Sequence, residues 1–305
     1  MLGVLAVFAT VSATAASFDY RLEPKRIADG TYVLIGRTED FSVANGGNVV
    51  NVAFIVTSAG VVVIDTGPSK RYGEQLRGAI RKLTDEPVVK VVNTHFHPDH
   101  FLGNQAFADV GVSALARTTR GIETLGGAFT DNMYRMCGDW EAGTEPLAPT
   151  RIQAEGVEDI GGHRLEFRAL SGHTDGDLVV FDRTTGVLFA GDLAFFERAP
   201  TTPHAQVSVW LDTLARLQAM PYKQLVPGHG PVVSDARAID QTREYLVWLE
   251  TTLERAAENG EDMTEAMATP IPEKFATLPL ARREFTRSVT HLFPALERRA
   301  LESQQ

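Results

Sequence analysis

In its first half the chain alternates short apolar runs with turns. Thr31 to Ile35, Val49 to Thr57 and Gly60 to Ile64 read as strands, the last running into Asp65-Thr66-Gly67. The period then changes: Tyr72, Leu76, Ile80 and Leu83 recur every three or four residues and predict a helix from Lys70 to about Leu83, closed by Pro87. Val88 to Val92 forms the next strand. The theme returns with Leu165 to Leu170, Leu178 to Asp182 and Val187 to Ala190 as strands, then a helix from Val207 to Leu217. A short strand, Leu225-Val226, leads into the turn Pro227 to Pro231. From about Asp235 the composition shifts to helix formers. Tyr245, Leu246, Trp248, Leu249 and Leu253 mark a helix over Ile239 to Arg255, and Phe285, Val289, Leu292, Phe293 and Leu296 mark another over Leu280 to Leu301. This alternation describes a layered α/β fold with a helical tail whose aromatic face packs on it.

A length of 305 residues and 44% hydrophobic content suffice for one large domain with an appendage. The expected division is 1–16 as an export signal, 17–234 as the catalytic domain and 235–305 as a helical extension. In the signal, Leu2 to Val11 is an apolar core and Ala13-Thr14-Ala15 supplies small residues for cleavage, although only the terminal amine is positive before them. This predicts a periplasmic or secreted protein. The core is too short for a bilayer, which needs about 20 residues, and no other stretch predicts a membrane span.

The formal net charge of −10 argues against a nucleic-acid partner, because phosphate binding needs clustered Lys and Arg. A small-molecule substrate is expected instead, with a homodimer through the C-terminal helices as the alternative use of their aromatic face. Cys137 is the single cysteine, which excludes an intramolecular disulfide, and it is expected half-buried in a loop.

The chemistry concentrates in Thr94-His95-Phe96-His97-Pro98-Asp99-His100, directly after a strand, with His173, Asp192 and His229 following other strands. Imidazoles and carboxylates are expensive to bury without partners, and a shared metal pair supplies them. His95 and His97 are two apart, so an extended segment points both to one side and Phe96 to the other. Pro98 turns the chain, placing Asp99 and His100 at a helix start. Imidazole with carboxylate suits zinc, with iron or manganese as alternatives.

His95-Phe96-His97-Pro98-Asp99-His100 resembles the His-x-His-x-Asp-His signature of the metallo-β-lactamase superfamily. Asp65-Thr66-Gly67, Gly172-His173-Thr174, Gly191-Asp192 and Pro227-Gly228-His229-Gly230 match its other motifs in order across residues 30 to 232. The resemblance implies a four-layer αβ/βα sandwich and two Zn2+ ions. His95, His97 and His173 would hold the first, Asp99, His100 and His229 the second, and Asp192 would bridge them. Asp65 would fix the loop. The implied reaction is hydrolysis by a hydroxide shared between the metals, with Asp99 as the catalytic residue that orients it or relays its proton.

Metallo-β-lactamases proper carry Cys or Ser at the fourth motif, whereas Asp192 is shared with thioesterases, lactonases, persulfide dioxygenases and nucleases of the superfamily. The expected substrate is a small carbonyl compound: a thioester, lactone, ester or β-lactam-like amide. A mononuclear iron persulfide dioxygenase and a true β-lactamase are the alternatives. The tail Gly260-x-x-Met263-x-x-Ala266 most resembles periplasmic zinc metallohydrolases encoded with quinoprotein dehydrogenase or sulfur-oxidation systems. Substrate-binding residues are unassigned. Met133, Tyr134, Trp140, Phe195 and Phe196 are candidate walls, His204 is a weak pocket candidate, and His163 and His291 are expected to be structural.

Overall fold

Side-chain alternation along the strands decides the layering. A computed structural model describes residues 18–303, and the expected export signal lies outside them. Strands β1 (Lys25–Ala28), β2 (Thr31–Leu34), β3 (Val52–Thr57), β4 (Gly60–Ile64), β5 (Val88–Val92), β6 (Val112–Ala114) and β7 (Arg151–Ile152) form one sheet in that order, antiparallel as far as β4 and parallel beyond. Strands β8 (Gly156–Ile160), β9 (His163–Leu170), β10 (Asp177–Asp182), β11 (Val187–Phe195) and β12 (Gln224–His229) form the second, in the order β12-β11-β10-β9-β8. In β4, Val62 and Ile64 meet Leu178, Val180 and Phe189 of the second sheet. Val61 and Val63 point the other way, onto Tyr72, Leu76 and Ile80 of α1 (Lys70–Arg81). In β10 the outward pair, Val179 and Phe181, joins Trp210, Leu214 and Leu217 of α4 (Val207–Gln218), three helices further along. The four layers follow, each fully buried Val, Leu or Ile contributing about 1.5–3 kcal/mol.

Between them lie α2 (Pro98–Phe101) and α3 (Ala116–Cys137). The latter is absent from the sequence expectations because Gly121, Gly126 and Gly127 break its apolar period. Gly121 is there for packing: a Cβ would strike the Phe96 ring. Cys137 is therefore not a half-buried loop residue but the fully buried last residue of α3, packed with Met133 and Phe96.

The C-terminal helices are α5 (Arg237–Glu258), α6 (Met263–Ala268), α7 (Glu273–Ala276) and α8 (Ala281–Ser303). Ala238, Ile239 and Leu246 of α5 join the outer core of the second sheet. Tyr245, Leu249 and Leu253 face Phe275, Phe285, Val289 and Phe293 in a separate core. Among the described residues no helix is long and apolar enough to cross a membrane.

Glu141, in a 3-10 turn after α3, is 2% exposed, and burial pushes its carboxyl up to about 8. The fold holds it neutral where the unfolded chain ionises it, so the unfolded state binds fewer protons and stability falls as pH rises from about 4.5 to about 8. Glu141→Gln is expected to flatten that slope and to raise stability at pH 8 by roughly 1–3 kcal/mol in denaturant titrations.

Candidate metal centre

Strand β5 delivers the histidine cluster. After Val92 the chain runs through Asn93 and Thr94, and α2 begins at Pro98. Phe96 points into the core with Phe101, Leu102 and Ile122, while His95 and His97 point together to the opposite side. His95 Nε2 lies 3.0 Å from His97 Nδ1, and His173 Nε2 lies 2.8 Å from the same nitrogen. Those protons and lone pairs cannot all be matched among three imidazoles, so a cation fits the convergence.

Donor atoms of His95, His97, His173 and Asp192 lie within 4.8 Å of one another, as do those of Asp99, His100 and His229. Asp192 touches both groups. Its Oδ2 is 3.3 Å from His173 Nε2 and from His229 Nε2, and its Oδ1 is 3.1 Å from His100 Nε2. Asp192 Oδ1 and His100 Nε2 are buried without a hydrogen-bond partner, as a bound ion would require.

The nitrogens turned away from the centre are mostly anchored. His95 Nδ1 meets Thr94 Oγ1 at 3.1 Å, His100 Nδ1 meets Asp65 Oδ2 at 2.8 Å, and His229 Nδ1 reaches Val49 O at 2.8 Å. His97 Nε2 lies 2.8 Å from His204 Nδ1. Such anchors set tautomer and ring orientation. Asp65 sits in the left-handed region at φ 62 and accepts from Thr94 N at 2.7 Å and Thr94 Oγ1 at 2.8 Å, which offsets the strain. Asp177 accepts from the amides of His173 and Thr174, fixing the third histidine.

Not every donor falls past a strand end. Asp192 lies inside β11, where the pairing with β12 is interrupted between Phe189 and Gly191 and again before Phe195, freeing the aspartate from the ladder. His229 is the last residue of β12, which reaches beyond the expected Leu225-Val226. Gly228 permits this approach, since a Cβ there would collide with Asp192 Oδ1. Asn51, which sequence reasoning passed over, donates to Pro227 O at 2.8 Å and Gly230 O at 2.6 Å and clamps that turn. A single buried asparagine has no pattern that would have revealed it.

Burial drives His95, His97 and His173 well below the ordinary histidine range, leaving the neutral form that can ligate. At His100 burial pulls the same way, but Asp192, Asp65 and Asp99 outweigh it and hold the imidazole well above that range. Burial opposes the Asp192 carboxylate, yet His229, His100 and His173 hold it well below the usual carboxylate range.

His97, Asp99, Asp192 and His229 open on a cavity of about 220 Å3 walled by Phe41, Phe129, Met136, His204, Arg287 and His291. Of the candidate walls, Met133 is core and Tyr134 is exposed. Trp140 donates to Val43 O at 2.9 Å and packs on Tyr20, away from the cleft. Phe195 stacks behind His229 at 5.2 Å, and Phe196 packs against the outer core of the second sheet. Along α3 the residues one position off, Phe129, Asn132 and Met136, face the cavity instead. His291 is not structural: it lines the mouth with His204, whereas His163 is a structural residue paired with Asp182 at 2.8 Å.

A family model described as the metallo-beta-lactamase superfamily matches residues 45–229. The chain is 24% identical to a linear primary-alkylsulfatase of a Pseudomonas strain, over 76% of this chain and 52% of that protein, so it spans about half that relative's length. It is 28% identical to a human acyl-coenzyme A thioesterase, over 73% of this chain and 86% of that one. A solved metallo-beta-lactamase from Pontibacter korlensis superposes with a TM-score of 0.61 at 25% identity, covering 74% of this chain and 99% of the other.

Asp65→Asn would replace an acceptor facing His100 Nδ1 by a donor and push the ring proton to Nε2. The expected result is a folded protein, by circular dichroism, whose divalent-metal affinity falls about 10- to 100-fold in equilibrium dialysis.

Proposed function

The chain belongs to the metallo-β-lactamase superfamily, and from that premise we propose that it is a binuclear zinc hydrolase of small acyl compounds, thioesters first among them. The observation that carries this reading is the convergence of seven buried donors, Asp192 touching both groups, four of which (His97, Asp99, Asp192 and His229) line one cavity. His95, His97 and His173 would hold one ion, Asp99, His100 and His229 the other, and Asp192 would serve both. Bound there, divalent ions supply Lewis acidity toward a carbonyl oxygen and acidify water.

The remaining work falls to the protein. Asp99 faces the cavity with its carboxylate 3.4 Å from His229 Nε2, placed to take the proton that an attacking water loses and to pass it to the departing group. Phe41, Phe129 and Met136 offer an apolar wall to the acyl chain and exclude bulk water. The thioester preference is supported by likeness to the human acyl-coenzyme A thioesterase and by an aspartate at position 192. We extend the proposal to an exported protein, from the apolar N-terminal residues.

Natively purified protein should carry about two zinc ions per chain and turn over a panel of thioesters, lactones, esters, β-lactams and alkyl sulfates. Asp99→Ala should lower kcat by about 100-fold or more. One iron per chain with oxygen uptake on a persulfide would replace this reading by a dioxygenase, and zinc-loaded protein inert on the whole panel would sink it.

A further inference from the structure

Arg198 is 3% exposed and lines the cavity, yet its Nε has no hydrogen-bond partner. Its Nη1 lies 2.7 Å from His229 Nδ1, which is also 2.8 Å from Val49 O. When His229 presents Nε2 as a ligand, its proton sits on Nδ1 and goes to the carbonyl. Nδ1 then has no lone pair for the guanidinium. The carboxylate partnered with Arg198 is fully buried Glu284 of α8, at 4.0 Å from Nη2. That carboxylate is already shared with Arg287, at 3.1 and 3.3 Å. One buried carboxylate faces two guanidiniums, leaving a positive charge beside the cavity.

Arg287 also lines the cavity, its side chain 39% exposed, with His291 one helical turn further along α8. The two carboxylates that face the same space, Asp99 and Asp192, belong to the donor groups. The cavity is thus divided: Phe129 and Met136 of α3 form an apolar side, and arginines form the other.

We propose that Arg198 and Arg287 form a subsite for an anionic oxygen group, carboxylate or phosphate, carried by the substrate, with the C-terminal helix α8 as its wall. It rests on the hydrolase reading only for the identity of the compound that brings the anion. Guanidinium forks match such groups with two parallel hydrogen bonds, and burial strengthens the pairing. The extension beyond the family match would therefore select substrates, while the matched region performs the chemistry.

The test uses the metal-loaded full chain. Titration calorimetry with succinate and with inorganic phosphate, against uncharged succinamide, should show at least one anion binding about tenfold or more tighter. That preference should fall about tenfold in Arg287→Gln and be largely kept in Arg287→Lys; the tighter anion names the group. The double variant Glu284→Gln, Arg287→Gln leaves the Arg198 guanidinium unopposed and restores the single positive charge, so it should recover part of the preference that Arg287→Gln loses. Anion binding that ignores these changes is capture by the metals alone and overturns the subsite. In a kinetic arm, KM for S-acetylthioglycolate should rise about tenfold in Arg287→Gln while KM for its methyl ester stays level. Turnover without that split overturns the subsite and leaves the hydrolase. Arginine-dependent binding without turnover upholds the subsite and overturns the hydrolase.

Discussion

Five imidazoles and two carboxylates, none more than 7% exposed, share one small volume, and much of the chain is arranged to make that tolerable. Their desolvation cannot be offset by hydrogen bonds among themselves, because three ring nitrogens converge on one another and a carboxylate oxygen is left without a donor. Only a cation matches every lone pair at once. The surrounding structure enforces the arrangement from behind: Thr94, Asp65, Val49 and His204 each take the outer nitrogen of a different histidine. Orientation is decided in this outer ring, since the donors themselves repel one another when protonated.

The sandwich serves this cluster by bringing loops from both sheets to one rim. β5 contributes the first four donors, the turn before β10 the fifth, and β11 with β12 the last two. Two departures from regular pairing matter. The interrupted β11–β12 ladder lets Asp192 leave the sheet plane, and Gly228 leaves room for its oxygen. Even the helix on the far side of the cluster yields to it, with Gly121 making space for Phe96 so that both neighbouring histidines can face inward.

What could be read in the sequence were the features with a period or a dense motif. Strands β2 to β5 and β9 to β12, helices α1, α4, α5 and α8 and the seven donors announce themselves through β-branched runs, helical spacing and clustered histidines, whereas the short strands β1, β6, β7 and β8 and the short helices α6 and α7 do not. Helix α3 did not, because its glycines answer tertiary contacts and not local propensity. The same gap misassigned the cavity wall: without the helix there is no phase, and Met133 cannot be told from Met136 although one is core and the other faces the cavity. Arg198 and His204 lie in the loop after β11 and Arg287 and His291 on α8, and nothing short of the fold places the two segments together.

The extension gives the clearest reason why function cannot be transferred from the shared sandwich alone. Its own core of Tyr245, Leu249, Phe275, Phe285 and Phe293 stands apart from both sheets, so it is free to vary without disturbing the donors. Yet α8 also buries Glu284 against Arg198, which lies directly behind His229. A carboxylate placed there cannot be neutralised by solvent and draws both arginines into fixed positions beside the cavity. Changing this one helix would thus alter the electrostatics next to the donors while leaving them in place. Relatives with the same sandwich and different tails would then share a reaction centre and differ in what they admit to it.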